Sequence, residues 1–143
     1  MRFEARVERW PMRSPFRISG QEFTEAEMLV VELRDGDHVA HGEACGVYYR
    51  GDGPGRMLDM ALSVGDAVTA GADRTALQDL LPDCGARNAV DCALWDLEAR
   101  RTGRPVWALA GLAASVPLPS FFTIGIDTRS EEHTSELQSH HDL

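Results

Sequence analysis

The side chains in this sequence that could do chemistry are few and lie far apart. Arg17 falls in Ser14-Pro15-Phe16-Arg17-Ile18-Ser19-Gly20, where a guanidinium could meet a carboxylate through two parallel hydrogen bonds. Tyr48 and Tyr49 stand side by side in a glycine-rich stretch with Gly46, Gly51 and Gly53. Two rings with hydroxyls suit the wall and rim of a pocket. Thr123 lies in the apolar run Phe121-Phe122-Thr123-Ile124, near the C-terminal end of an expected strand. In a parallel barrel that end is where ligands bind. Each of these residues has a plainer reading of comparable weight: a surface arginine, two half-buried tyrosines, and a β-branched residue suited to a strand.

The remaining candidates read as structural. His38 and His41 are three apart on an expected strand, so they point to opposite faces and cannot share a metal locally. Asp91, Asp96 and Glu98 belong to the solvated face of a helix, and Cys92 reads as a small core residue of it. Trp95 and Trp107 read as packing residues. The sequence has no phosphate-binding glycine loop, no nucleophile elbow and no zinc spacing, so these residues form no complete active site.

Composition narrows the classes further. A chain of 143 residues that is 43% hydrophobic and 26% charged is one globular domain of ordinary size. A net charge of −9 argues against nonspecific nucleic-acid binding. No apolar run approaches the roughly 18 residues of a membrane span. The first residues alternate charged and apolar side chains, unlike a signal or transit peptide. Cys45, Cys84 and Cys92 are odd in number and widely spaced, which predicts reduced thiols and a cytoplasmic location.

The elements that must position the candidates follow from periodicity. Phe3, Ala5 and Val7 alternate with charges, predicting a strand over residues 2–10 that Pro11 and Pro15 break, with a loop over 14–20. A second strand is expected over about 26–34 and a third over about 38–44. Asp35-Gly36-Asp37 is the hairpin turn between them. After a loop over 45–55 the period turns helical, with Met57, Leu58, Ala61, Leu62, Val64 and Val68 on one face. A short helix over 74–81 starts at Asp73 as N-cap and stops at Pro82. The longest helix spans 86–101, with Ala86, Ala89, Val90, Ala93, Leu94 and Leu97 as its buried stripe, and Gly103 caps it. A last short helix covers 106–110.

Residues 116–126 then read as a strand that is apolar on both faces, the pattern of a parallel sheet covered on both sides. No such sheet can be built from what remains. The order predicts a capping domain followed by the first strand of a further domain. Residues 129–139, Arg-Ser-Glu-Glu-His-Thr-Ser-Glu-Leu-Gln-Ser, resemble the translated read-through of a sequencing adapter, which predicts that the natural frame continues past Asp127. The expected organisation is a cap over 1–112, a linker and first barrel strand over 113–128, and non-natural sequence over 129–143. Expressed alone, such a chain is expected to be poorly soluble or partly molten.

With these elements in place, the sequence resembles the enolase superfamily in its muconate-lactonizing, mandelate racemase-like branch, and within it the dipeptide epimerases of the Ala-Glu type. The resemblance rests on Trp10-Pro11-Met12-Arg13-Ser14-Pro15-Phe16-Arg17-Ile18, on Gly42-Glu43-Ala44, and on Phe122-Thr123-Ile124-Gly125-Ile126-Asp127. Its most specific part is Ala86-Arg87-Asn88-Ala89-Val90-Asp91-Cys92-Ala93-Leu94-Trp95-Asp96-Leu97-Glu98.

The resemblance implies an α+β fold: a three-stranded antiparallel meander, a helical bundle, and the first strand of a truncated (β/α) barrel. It implies an isomerase that removes the proton α to a carboxylate, with Mg²⁺ stabilising the enediolate in the full-length protein. The catalytic lysines and metal-binding acids of the family lie on later barrel strands, so none transfers to this chain. The fragment is therefore expected to bind no cofactor and to be inactive alone. Thr123 matches a substrate-contacting threonine, and the loops at 16–21 and 47–52, with Arg17, Tyr48 and Tyr49, match two loops that select the substrate side chain. The first loop departs from glutamate-handling relatives, which tend to carry an arginine where this chain has Ser19-Gly20-Gln21. The implied partners are a dipeptide or N-acylamino acid and the missing barrel domain, without nucleic acid or membrane, and with a homo-oligomer left open for the full-length chain. The alternatives are an N-acylamino-acid racemase, a muconate-type cycloisomerase, or a non-catalytic α+β binding module.

Overall fold

The computed structural model describes residues 1–18, 21–47, 51–114 and 116–121. Three strands, β1 (Arg2–Ile18), β2 (Gln21–Asp35) and β3 (His38–Cys45), are followed by α1 (Pro54–Ser63), α2 (Gly65–Thr69), α3 (Arg74–Leu80), α4 (Gly85–Thr102) and α5 (Val106–Leu109). The sheet order is β1-β2-β3, with β2 and β3 antiparallel from Met28↔Cys45 to Asp35↔His38. This is the α+β meander and helical bundle expected of the capping domain. The chain divides into two compact units, one of Met1–Trp10 with Glu27–Ser115, the other including Pro11–Ala26.

The first two strands run further than the sequence suggests. β1 continues through Pro11 and Pro15 to Ile18, and β2 begins at Gln21, so residues expected as a loop are hairpin arms. The prolines are tolerated because β1 is an edge strand, where a missing N–H can face away from the ladder. Gly36 makes the β2–β3 turn with φ +57°, which a side chain would strain.

Alternation decides the core. Leu29, Val31 and Leu33 of β2 and Ala40 and Ala44 of β3 are buried against Met57, Ala61, Val68, Leu77 and the α4 stripe. That stripe is Ala86, Ala89, Val90, Ala93, Leu94 and Leu97, as its spacing predicts. The neighbouring helical segment is broken at Val64 into α1 and α2, and Leu62 turns outward. Asp73 caps α3, its Oδ1 accepting the N–H groups of Thr75 and Ala76 at 3.0 and 2.9 Å. Gly103 ends α4 at φ +65°.

Three sequence readings are corrected. Cys92 is exposed, because on the helix it stands off the arc of the buried stripe. Trp107 is exposed on the four-residue α5, which is too short to bury it. Asp96 and Glu98 do more than solvate α4. Asp96 Oδ2 accepts the His41 N–H at 2.9 Å, and Glu98 pairs with Arg74 at 2.7 Å while that guanidinium stacks 3.2 Å over Trp95. Residues 116–121 adopt no regular element, and Leu118 and Phe121 are exposed; the rest of the expected strand lies outside the described residues.

The sheet face opposite the core carries Glu32, only 8% exposed, paired with Arg34 at 2.6 Å and His41 at 3.4 Å. Burial pushes its carboxyl up, but the hydrogen bonds and charges of Arg34 and His41 outweigh this and hold it below the ordinary range. Arg101, at 2.6 Å, holds Asp35 low, and the Trp10 indole N–H at 2.8 Å holds Glu8 low. Groups with depressed folded values stabilise the fold above their unfolded values and lose that contribution as pH falls through the folded ones. The melting temperature, followed by circular dichroism, should hold from about pH 7 to 5 and fall below about pH 4, where unfolded carboxyls titrate. A melting temperature that rose into acid would contradict this account.

Candidate functional site

Proline starts α1 at its first turn, and Cys84 starts α4 as N-cap, its Sγ accepting the Arg87 N–H at 3.5 Å. Between these two helix starts and the end of β3 lies a cleft of about 570 Å³, lined by Cys45, Val47, Asp52, Arg56, Cys84 and Asn88, among others. Asn88 Nδ2 donates to the Glu43 carbonyl at 3.3 Å, and Arg56 Nη1 to the Gly51 carbonyl at 3.4 Å. Arg87 pairs with Asp83 and donates to the Leu81 carbonyl at 3.2 Å.

Asp52 is the buried acid of this cleft, 7% exposed, with Oδ2 accepting the Gly85 N–H at 2.7 Å. The sequence reading passed over it as one more residue of the 47–52 loop. The available signal was an acid between two glycines just before a proline-started helix.

Of the residues chosen from sequence, Arg17 is described and Tyr48, Tyr49 and Thr123 lie outside the described residues. Arg17 sits near the tip of the β1–β2 hairpin, where its Nε donates to Glu22 Oε2 at 2.6 Å. Phe16 and Phe23 stack nearby across the same hairpin, ring centres 6.4 Å apart. Arg17 is thus a paired side chain, and a substrate carboxylate arriving there would compete with Glu22.

The described cleft holds no histidine and offers thiols as its strongest nucleophiles. The exposed Cys92 thiol lies elsewhere, and burial of part of it, with Asp91 and Glu43, pushes it up and keeps it protonated. Among the described residues no three His, Cys, Asp or Glu side chains are placed to hold a metal ion. What this arrangement can do is shape and line one side of a site.

Comparison with known proteins shows what the chain as a whole is similar to. The chain is 37% identical over 122 residues to the L-Ala-D/L-Glu epimerase of Escherichia coli (strain K12), covering 85% of this chain and 38% of that enzyme. Its fold matches, with TM-score 0.83 and 31% identity, an enolase family member from Agrobacterium tumefaciens with homology to dipeptide epimerases, solved with L-Ala-L-Glu; the match covers 95% of this chain and 42% of that one. It also matches the dipeptide epimerase from Methylococcus capsulatus complexed with Mg and L-Arg-D-Lys, with TM-score 0.73 and 29% identity over 96% of this chain and 41% of that one. This chain therefore spans well under half the length of these relatives. Residues 2–111 match the family described as mandelate racemase / muconate lactonizing enzyme, N-terminal domain. The chain belongs to that family of the enolase superfamily, and these residues are its N-terminal domain.

Proposed function

We propose that this chain is the substrate-capping N-terminal part of a Mg²⁺-dependent dipeptide epimerase. The observation that carries the reading is the likeness to the Escherichia coli L-Ala-D/L-Glu epimerase along 85% of the chain. In the reaction we assign, the proton α to a substrate carboxylate is removed and returned on the opposite face. Removing it adds negative charge beside an existing anion, and a divalent cation offsets that charge when bound.

The described residues do not build a cation site. We assign the bases and metal ligands to the part of the family that lies outside the match. The role left to this chain is recognition. We assign recognition of the substrate side chain to Arg17 in the segment 16–21 and to Tyr48 and Tyr49 in the segment 47–52, and contact with the dipeptide to Thr123. Because Arg17 is paired with Glu22, an acidic substrate side chain must displace an internal carboxylate, whereas a neutral one need not.

The test is proton exchange in D₂O with the complete natural gene product, Mg²⁺ and a panel running from L-Ala-L-Glu to apolar dipeptides. Deuterium should enter one α-carbon of at least one dipeptide, read by NMR. Exchange confined to N-acylamino acids would replace this reading with the racemase. A natural product that ends near Asp127 and exchanges nothing would leave a binding module.

A further inference from the structure

The Asp52 carboxylate is fixed from two directions. Its Oδ2 accepts the N–H of Gly85, the first residue of α4, so the charge sits at the positive end of an 18-residue helix. Its Oδ1 is also buried and takes no hydrogen bond among the described residues, which leaves the Gly85 N–H as the bond that seats the group. On the backbone side, the Asp52 N–H donates to the Val47 carbonyl at 3.4 Å, so the ends of the 47–52 segment meet at this residue.

Two glycines make room for the contact. A Cβ on Gly46 would fall 1.6 Å from the Asp52 carbonyl oxygen. A Cβ on Gly85 would fall 2.4 Å from Met57 Sδ and 3.1 Å from Asp52 Oδ2. Packing this close leaves no slack for a second seating of the loop end.

We infer that Asp52 is a positioning residue for the proposed substrate site: it fastens the end of the 47–52 loop to the N-terminus of α4, so that discrimination among dipeptide side chains depends on a carboxylate that touches no substrate. The inference rests on the epimerase reading, which assigns that loop to substrate selection, and its test is arranged to separate the two.

In the complete enzyme, Asp52→Ala should raise KM for the preferred dipeptide about tenfold while kcat stays within about threefold, the pattern of lost binding without lost chemistry. Asp52→Asn keeps an acceptor for the Gly85 N–H, and its KM should stay within about threefold of the parent. A fall in kcat with KM unmoved, or no change in either variant, overturns the inference.

The second arm uses the complete enzyme and trypsin under native conditions, reading cleavage after Arg50. Asp52→Ala should be cut about tenfold faster there than the parent and Asp52→Asn at nearly the parent rate, because cleavage follows local opening. Faster cleavage with a wild-type enzyme that exchanges no dipeptide supports the fastening and removes the epimerase reading. Equal cleavage in all three overturns the fastening whatever the activity.

Discussion

Gly42→Ala is expected to cost this domain about 3 kcal/mol or more, at or beyond the upper end of ordinary overpacking. A Cβ at Gly42 would lie 2.0 Å from the Ala89 carbonyl oxygen and 2.5 Å from the Ala93 nitrogen. Both are backbone atoms of α4, so no side chain can rotate out of the way. The strand or the helix has to move, and either shift disturbs Ala40, Ala44 and the α4 stripe together. Small domains have only about 5–15 kcal/mol in total, so the urea midpoint followed by circular dichroism should drop sharply. Gly36→Ala is the control: its Cβ meets nothing within 4 Å, and its cost should be only the roughly 1–2 kcal/mol of a left-handed backbone. Equal midpoints for the two variants would refute the close-approach argument.

Leu33→Ala should be the next most damaging change, costing about 2–5 kcal/mol through lost burial and a residual cavity. Leu33 is fully buried, on the β2 face that meets the helices. Leu62→Ala removes the same atoms from a side chain that is 53% exposed, and should stay within about 0.5 kcal/mol of the parent. Urea denaturation of the pair separates them. A large loss at Leu62 would mean that its side chain is packed and not half exposed.

That contrast also shows where the sequence was readable. The α4 stripe is legible because eighteen residues give the helical period five turns to declare itself, and every expected stripe residue is buried. Asp73 and Gly103 are legible because capping is local chemistry. Leu62 was misassigned because the expected apolar face was drawn wider than the one α1 buries, which is Met57 and Ala61. The prolines at 11 and 15 were read as breakers because strand order, which makes β1 an edge, is not local information.

The site was less legible than the fold. Arg17 was chosen for its chemistry, yet its partner, Glu22, is fixed only once β1 and β2 form a hairpin. Asp96 and Asp52 were missed for the same reason: each answers a backbone N–H, 55 and 33 residues away, and sequence gives no sign of such a meeting. Tyr48, Tyr49 and Thr123, chosen for their chemistry and matched by the family resemblance, lie outside the described residues.

The two borders of the sheet bear on how the chain behaves at high concentration. At β3, α4 side chains take up main-chain groups, Asp96 binding the His41 N–H and Asn88 the Glu43 carbonyl. At β1, Pro11 and Pro15 are four apart, so the two missing donors face the same side of the strand. A seventeen-residue border would otherwise be a template for a strand from a neighbouring molecule, the usual start of ordered aggregation. The β3 border is occupied, so growth by adding a foreign strand is hindered on that side, and the β1 border carries two residues with no N–H to offer a neighbour.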